Sequence, residues 1–395
     1  MKSRVSAISF LMAATLCCLS CSNNNTTATT SVGNLFVTTA GNTSAQAYGI
    51  TLSSGALSTD GPGVQTGTGT GSSPLAMTIA SNATTLVVAN GTCSGTKGCL
   101  TTYTINGDGS LTATTGTTAT GANPVGLTFN PAGTFLFVAN QDDSTVSVYS
   151  VSGTTLTEIS GSPFSTITTG VTTPTLPSAV AVSGSGKYLY VANNLTGTVS
   201  IFNIASSGAL TQSTFGPYVV GTNPSALGFA PNGGFIYVAN FHDNNVSAFG
   251  VCDQVTTTCS NPNSPDGSLS PVSGSPFSAG IGPTAITSDT TGNFLFVLDK
   301  NSNQVSQFRL STGTGSLTAL TPATASTGTT PVSFAVRSGT TTIATTGGTV
   351  EYLYVANNGG TSVSIYSFDS TLGALTVLGM PVSTISGNPS AVVAR

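Results

Sequence analysis

The sequence predicts an all-β fold, a seven-bladed β-propeller whose blades are four-stranded antiparallel sheets. Three observations predict it: one strand motif recurs seven times in 395 residues, further short strands follow each copy, and no sustained helical period occurs beyond the first twenty residues. Repeats of roughly 50 residues that each contain four strands are typical of propeller blades. We therefore expect one ring of seven repeats.

The most regular element is a five-residue strand that usually ends in Asn and reads LFVAN, LYVAN or IYVAN. Its Val, Ile, Tyr and Phe favour a strand, and the polar residues that follow favour a tight turn. Strong copies occur at residues 136–140, 189–193, 236–240 and 353–357, and weaker copies at 35–39, 86–90 and 295–299.

Three more strands complete each repeat. After the turn comes a strand of the VSVYSV type, as from Val146, Val199 and Val363, and then a Gly-led turn and strand such as GALTQ from Gly208. The last strand opens with proline, as in PSAVAV from Pro177. Proline is tolerated at the first position of a strand because no ladder hydrogen bond is lost there.

The two ends of the chain predict how the ring closes. The first repeat starts at the 35–39 strand with no proline-led strand before it, whereas the sequence ends on PSAVVAR at residues 389–395. We expect this last strand to complete the N-terminal blade, which removes the open ends that linear repeat arrays must cap.

The YVAN-type strand, the VSVY-type strand and the Asn-Pro-x-Ala strand start resemble repeats of the YVTN family and of the seven-bladed lactonase family typified by 6-phosphogluconolactonase-like proteins. The resemblance spans nearly the whole mature chain. It implies hydrolysis of a lactone ring, with charged and histidine residues at the mouth of the channel. The proline-led strands here carry almost no charge, whereas a phosphorylated lactone would need cationic partners. The sequence therefore departs from what the resemblance implies.

The first residues predict export. Lys2 and Arg4 precede an apolar run that is too short to span a bilayer, so residues 1–20 are interpreted as a signal peptide. The sequence CLSC at residues 18–21 resembles a bacterial lipobox, with Cys18 where that pattern usually has Leu. Cys21 is thus predicted to carry lipid; the alternative is an ordinary cleaved signal.

The rest of the chain follows from this interpretation. Residues 21–32, rich in Asn and Thr, form a flexible tether, and residues 33–395 form the propeller. We expect an extracytoplasmic lipoprotein, in the periplasm or at the cell surface, that contacts the membrane through its lipid anchor only.

Composition excludes some partners. Charged residues make up 5% of the chain, against roughly 25% in an average soluble domain. Without a basic patch, nucleic-acid binding is not expected. We expect a monomer without a cofactor.

Four cysteines beyond the signal form two local pairs, Cys93 with Cys99 and Cys252 with Cys259. In an exported protein such pairs predict disulfides. Zinc is disfavoured because neither pair has a two-residue spacing or a nearby histidine.

The turns after each YVAN-type strand and the loops before each proline should share one face, where propellers generally bind ligands. His242, the only histidine, could act as a general base or acid beside Asp243, with Asp143 and Lys300 assisting. The alternative for these residues is ordinary turn geometry. Other predicted residues of this face are Asp142, Asp299, Asn194 and Asn358.

Asp142, Asp143 and Asp299 could supply oxygen ligands to Ca²⁺, but their spacing matches no calcium loop, so no metal site is predicted. Two functions remain. One is a binding module at the cell envelope for a protein, glycan or small-molecule ligand; the other is a lactone hydrolase acting on a sugar lactone. The fold alone does not decide between these functions. The scarcity of ionisable groups favours the binding module.

Overall fold

The computed structural model describes residues 31–40, 44–61, 63–66, 73–94, 96–253, 266–384 and 387–395. The predicted signal peptide, Cys21, residues 21–30 of the tether and Cys259 lie outside these ranges. Within the described residues, no helix has the length and apolar character needed to cross a membrane. The first strand begins at Ser31, two residues before the predicted start of the propeller.

The strands form seven sheets, which we number as blades 1–7 in chain order. Blade 1 contains Ser31–Ala40, Ser44–Thr51, Leu57–Thr59, Val64–Gln65 and the final strand Asn388–Ala394. Blade 2 contains Pro74–Ile79, Thr85–Ser94, Lys97–Ile105, Leu111–Ala113 and Thr118–Ala119. Blade 3 contains Pro124–Phe129, Phe135–Asn140, Thr145–Ser152, Thr155–Glu158 and Phe164–Ser165. Blade 4 contains Pro177–Val182, Tyr188–Asn193, Thr198–Ile204, Leu210–Gln212 and Tyr218–Val219.

The remaining blades repeat the pattern. Blade 5 contains Pro224–Phe229, Phe235–Asn240, Asn245–Val251, Leu269–Pro271 and Phe277–Ser278. Blade 6 contains Pro283–Ser288, Phe294–Asp299, Gln304–Leu310 and Leu317–Ser326. Blade 7 contains Pro331–Thr342, Thr349–Asn357, Ser362–Asp369, Thr376–Val377 and Val382–Ser383, with a one-turn 3₁₀ helix at Asn358–Gly360.

Each blade is a four-stranded antiparallel ladder that starts at its proline-containing strand, which we call the inner strand. The inner strands of neighbouring blades contact each other around the whole ring. The second strand is the YVAN-type strand, the third is the VSVY-type strand, and the fourth lies at the outer edge. The predicted seven-bladed propeller is confirmed.

A short fifth strand, which the sequence patterns did not predict, pairs with the third strand in six blades. In blade 3, Phe164 and Ser165 lie opposite Val146 and Thr145. The strand is two residues long, so it has no periodicity for a sequence pattern to detect.

The core lies between blades, and the second strand contributes to it on both faces. In blade 3, Leu136 and Val138 pack against blade 2, whereas Phe137 and Ala139 pack against blade 4. All four residues are fully buried. A strand buried on both faces is apolar at every position, which is why the YVAN-type motif shows a continuous apolar run and no alternation.

The tyrosine of this motif joins consecutive blades. Tyr237 of blade 5 donates its hydroxyl to the carbonyl of Gly315 in blade 6 at 2.8 Å. Tyr354 of blade 7 does the same to Gly55 in blade 1 at 3.1 Å. A buried hydroxyl needs such a partner, so these tyrosines stabilise the fold and leave no group for chemistry.

The ring closes through the C-terminal strand, as predicted. Asn388–Ala394 pairs antiparallel with Ser31–Ala40 and places Val392 opposite Val37. Val392 is 5% exposed and packs in one cluster with Leu35 of blade 1 and Tyr354 of blade 7. Blade 1 thus consists of strands from both ends of the propeller.

Closure of the ring predicts that the same substitution lowers the free energy of unfolding much more at Val392 than at Val377. Val392→Asp places a carboxylate in the cluster between blades 7 and 1 and should lower the free energy of unfolding by about 3 kcal/mol or more. Val377→Asp is the matched control, because Val377 is 59% exposed on the fourth strand of blade 7; its effect should stay within about 0.5 kcal/mol. Urea unfolding measures both, and equal midpoints would show that the closing strand is dispensable.

Candidate functional site

One face of the propeller is formed by the turns that follow the second strands. In blades 3–7 the turn has four residues, and the last of them has a left-handed backbone. In blade 5 that residue is Asn244, with φ 57°. Asn and Gly are the residues that adopt this conformation at least cost, which is why these turns are rich in them.

Each turn is joined to the loop before the inner strand. The first turn residue donates its backbone N–H to the carbonyl of the residue before the proline, as from Phe241 to Asn223 at 3.0 Å and from Lys300 to Gly282 at 2.9 Å. We call these residues of blades 2–7 the rim, because each pair lies at the end of its blade where the inner strand begins and the second strand ends. The rim comprises Gly91, Gln141, Asn194, Phe241, Lys300 and Asn358, with Ser73, Asn123, Leu176, Asn223, Gly282 and Thr330.

Five of the twelve rim residues carry side-chain amides, and some of these amides link neighbouring blades. Asn223 of blade 5 donates to Asn194 Oδ1 of blade 4 at 3.2 Å, and Asn194 donates to the carbonyl of Pro224 at 3.3 Å. In blade 7, Asn358 donates to the carbonyl of Pro389 in blade 1 at 3.0 Å. The predicted ligand-face residues Asn194 and Asn358 therefore lie in the rim and are half-buried.

A fully buried asparagine lies beneath the rim at the end of most second strands. Asn140 Nδ2 donates to Thr145 Oγ1 at 3.1 Å and to Ser147 Oγ at 2.9 Å on the third strand. The loop before the inner strand lies directly against it, since a Cβ on Gly121 would be 2.5 Å from Asn140 Cγ. Glycine three residues before the proline is therefore required by the close approach of this side chain.

Two of the predicted catalytic carboxylates hold this same loop. Asp143 accepts a hydrogen bond from the backbone N–H of Ala122 at 2.8 Å and forms an ion pair with Lys97 at 2.6 Å. Asp243 accepts from the backbone N–H of Thr222 at 2.7 Å. The hydrogen bond from Lys97 lowers the pKa of Asp143, and the hydrogen bond from the Thr222 backbone lowers the pKa of Asp243. Both stay ionised at neutral pH and are poor general bases.

Asp142, His242 and Lys300 lie in the turns of blades 3, 5 and 6. His242 is exposed, and no side-chain hydrogen bond to it exists among the described residues. Lys300 is half-buried in the rim. Asp142 is exposed and accepts from Asn123 Nδ2 at 3.2 Å. Asp143 belongs to blade 3, so blade 4 stands between it and His242.

Asp299 is not on the surface of this face. It occupies the position of the buried asparagine in blade 6 and is fully buried. Burial raises its pKa to about 6, although hydrogen bonds from Ser306, Gly280 and Gln304 act in the opposite direction. The sequence already indicates that Asp299 is buried, because LFVLD aligns with LFVAN and aligned positions of a repeat share their environment.

Phe241 is a rim residue that the sequence reasoning missed. It stands where other blades have Gln141, Asn194 and Asn358. A Cβ on Gly282 would lie 3.1 Å from Phe241 Cε2, so the ring reaches over the loop of blade 6. The rim therefore carries an aromatic group and, in the next blade, the Lys300 ammonium group.

The predicted disulfide between Cys93 and Cys99 is present, with Cα atoms 5.7 Å apart. It joins the second and third strands of blade 2, and the third strand is linked to the loop before blade 3 by a hydrogen bond from Gly98 N to Gly121 O at 3.0 Å. The second predicted pair has Cys252 buried, and Cys259 lies outside the described residues. Among the described residues, no three His, Cys, Asp or Glu side chains are close enough to hold a metal ion.

Comparison with protein families agrees with this architecture. Residues 54–161 and 155–261 match the family model described as lactonase, seven-bladed β-propeller. Together the two matches span more than half of the chain. The chain belongs to this lactonase family. No curated protein sequence matches the chain significantly.

Several solved structures are similar to this lactonase-family propeller. A putative 6-phosphogluconolactonase from Bacteroides uniformis is 17% identical with a TM-score of 0.73, over 92% of this chain and 99% of that one. Another, from Bacteroides fragilis, is 19% identical with a TM-score of 0.72, over 93% and 99%. The periplasmic gluconolactonase of Pseudomonas aeruginosa is 21% identical with a TM-score of 0.70, over 92% and 98%. At these identities the similarity shows the fold alone.

Proposed function

We propose that this lactonase-family propeller is an exported binding module that takes a small polyhydroxylated ligand, a sugar or sugar acid, at its rim. The observation that carries the proposal is the set of five amide side chains in the rim, each of which has more donor and acceptor capacity than its hydrogen bonds within the protein use. Carbohydrate hydroxyls need paired donors and acceptors of this kind, and concave sites with a few convergent polar groups bind small molecules. The carboxylates of Asp143 and Asp243 are committed to the loops of blades 3 and 5.

Phe241 and Lys300 narrow the ligand class. The Phe241 ring supplies an apolar surface for the C–H face of a sugar. Lys300 supplies a single positive charge, which suits a carbonyl oxygen or one carboxylate better than a phosphate dianion. The name of the Pseudomonas relative, a periplasmic gluconolactonase, makes gluconate and its lactone the first probes to use.

Export and anchoring are part of the proposal. Lys2, Arg4 and the apolar run that follows support a signal peptide, and the CLSC sequence supports lipid on Cys21. The disulfide between Cys93 and Cys99 agrees with an oxidising compartment. We place the protein outside the cytoplasm, with the propeller held near the membrane by residues 21–32.

Binding should depend on the rim and not on net charge. Titration calorimetry with gluconate should show an affinity that falls about tenfold in Phe241→Ala and several-fold in Lys300→Gln, because each variant removes one contact. Lys187→Gln is the matched control, since Lys187 pairs with Asp266 outside the rim. Methyl glucoside should bind wild type and Lys300→Gln alike. Failure of the wild type to bind either probe would contradict the proposal.

Lactone hydrolysis is the second candidate, favoured by the family match. In that case His242 would act as the general base, and His242→Ala would lose the acceleration of glucono-δ-lactone opening over buffer. We expect the wild type to give no acceleration, because Asp143 and Asp243 are poor bases and no side-chain hydrogen bond from a described residue orients His242. Proton release followed in weak buffer measures the rate. Acceleration that disappears in His242→Ala would establish the hydrolase instead.

Lipid on Cys21 has its own test. Cells fed labelled palmitate should label the wild-type chain and the Cys18→Ser chain, whereas Cys21→Ser should remain unlabelled and leave the membrane fraction. Labelling of Cys21→Ser to the wild-type level would rule out this anchor.

A further inference from the structure

Asp299 replaces an asparagine in a site that five other blades keep uncharged. The equivalent residues are Asn90, Asn140, Asn193, Asn240 and Asn357, and all of them are fully buried, as is Asp299. Where the residue is asparagine, its Nδ2 donates to groups of the third strand, such as Ser247 Oγ from Asn240 at 2.9 Å. An ionised aspartate has no hydrogen to donate there.

The hydrogen-bond direction in blade 6 is consequently reversed. Ser306, the equivalent of Ser247, donates its hydroxyl to Asp299 Oδ2 at 2.6 Å. The same Ser306 Oγ accepts from the backbone N–H of Gly280 at 3.1 Å. Gly280 leads through Ile281 and Gly282 to the inner strand, and Gly282 is a rim residue. The carboxyl is thus connected to the loop that leads to the rim through the Ser306 hydroxyl and through the Gly280 backbone N–H.

One oxygen of the carboxylate is left unsatisfied in this site. Its Oδ1 has no hydrogen-bond partner among the described residues. Four of the equivalent asparagines also leave Oδ1 without a partner, but a neutral amide oxygen tolerates this far better than a buried carboxylate does. The protonated acid, by contrast, is neutral and can donate one hydrogen bond, as the asparagine does.

Among the described residues, no opposite charge compensates the Asp299 carboxylate. The groups that face it are the Ser306 hydroxyl and the Gln304 amide on the third strand and the Gly280 backbone on the loop, and no charged side chain contributes to the shift of its pKa. Lys300 follows it in the chain and lies in the rim. Desolvation therefore dominates and raises the pKa of Asp299 from 3.8 to about 6.

We propose that Asp299 makes the rim of blade 6 sensitive to pH: the protonated carboxyl holds the loop at residues 280–282, and the ionised carboxylate loosens it. Because the folded-state pKa is raised, the neutral form favours the folded blade. Its contribution is complete below about pH 3.8 and is lost as the pH rises through about 6. Lys300 donates its backbone N–H to the Gly282 carbonyl, so both rim residues should respond to the ionisation of Asp299.

Hydrogen exchange of the full chain at pH 5 and pH 8, corrected for intrinsic rates, tests the loop directly. In the wild type, the corrected exchange of segments 279–283 and 300–306 should rise several-fold at pH 8. In Asp299→Asn it should not rise, because the amide restores the uncharged site of the other blades. An equal rise in both proteins would overturn the proposal. Asp60 and Glu351, whose pKa values are also raised, are unchanged in this comparison.

A matched variant in blade 5 makes the test independent of blade 6. Asn240→Asp in the Asp299→Asn background should transfer the pH dependence to segments 220–224 and 241–247. Carboxyl ¹³C shifts of labelled aspartate should meanwhile show one signal that titrates near pH 6 and disappears in Asp299→Asn. If Asn240→Asp does not fold, the proposal is tested by this signal and by the exchange data for Asp299→Asn. A signal that titrates near pH 4 would refute the proposal.

Discussion

The structure depends on the burial of each second strand between two neighbouring blades. Leu136 and Phe137 are adjacent in sequence, yet they pack against blades 2 and 4 respectively. No blade can bury both faces of its second strand alone, so the seven sheets are stable only as a closed set. The pairing of Asn388–Ala394 with Ser31–Ala40 and the cluster around Val392 complete that set.

The same constraint shapes the candidate site. Because the second strand is fully enclosed, its last residue is buried just below the face, and an asparagine there satisfies the third strand and leaves room for the loop above. Asp143 and Asp243 then fix this loop from outside by accepting backbone N–H groups. Asp143 and Asp243, which looked suited to acid–base chemistry, are therefore part of the turn architecture.

Much of the fold could be predicted because its determinants are local and repeated. The strand motifs, their order and the closure by residues 389–395 follow from patterns a few residues long. The roles of Asp143 and Asp243 could not be predicted, since each partner N–H lies 21 residues earlier in the chain, in a loop without a distinctive sequence. Phe241 was missed because its importance depends on Gly282 in the next blade, a contact that no periodicity reveals.

The closing strand also has a consequence for how the chain folds. Leu35 pairs with Ala394, so blade 1 cannot form until almost the entire polypeptide has been made. Contacts between residues so distant in sequence slow folding and leave strand edges exposed in partly folded chains. If the chain crosses a membrane from its N-terminus, one edge of the strand at residues 31–40 stays unpaired on the far side of the membrane until the last strand has crossed. We expect such a chain to depend on chaperones that shield β-strand edges during translocation, and to do so more than a protein whose first sheet is built entirely from consecutive strands.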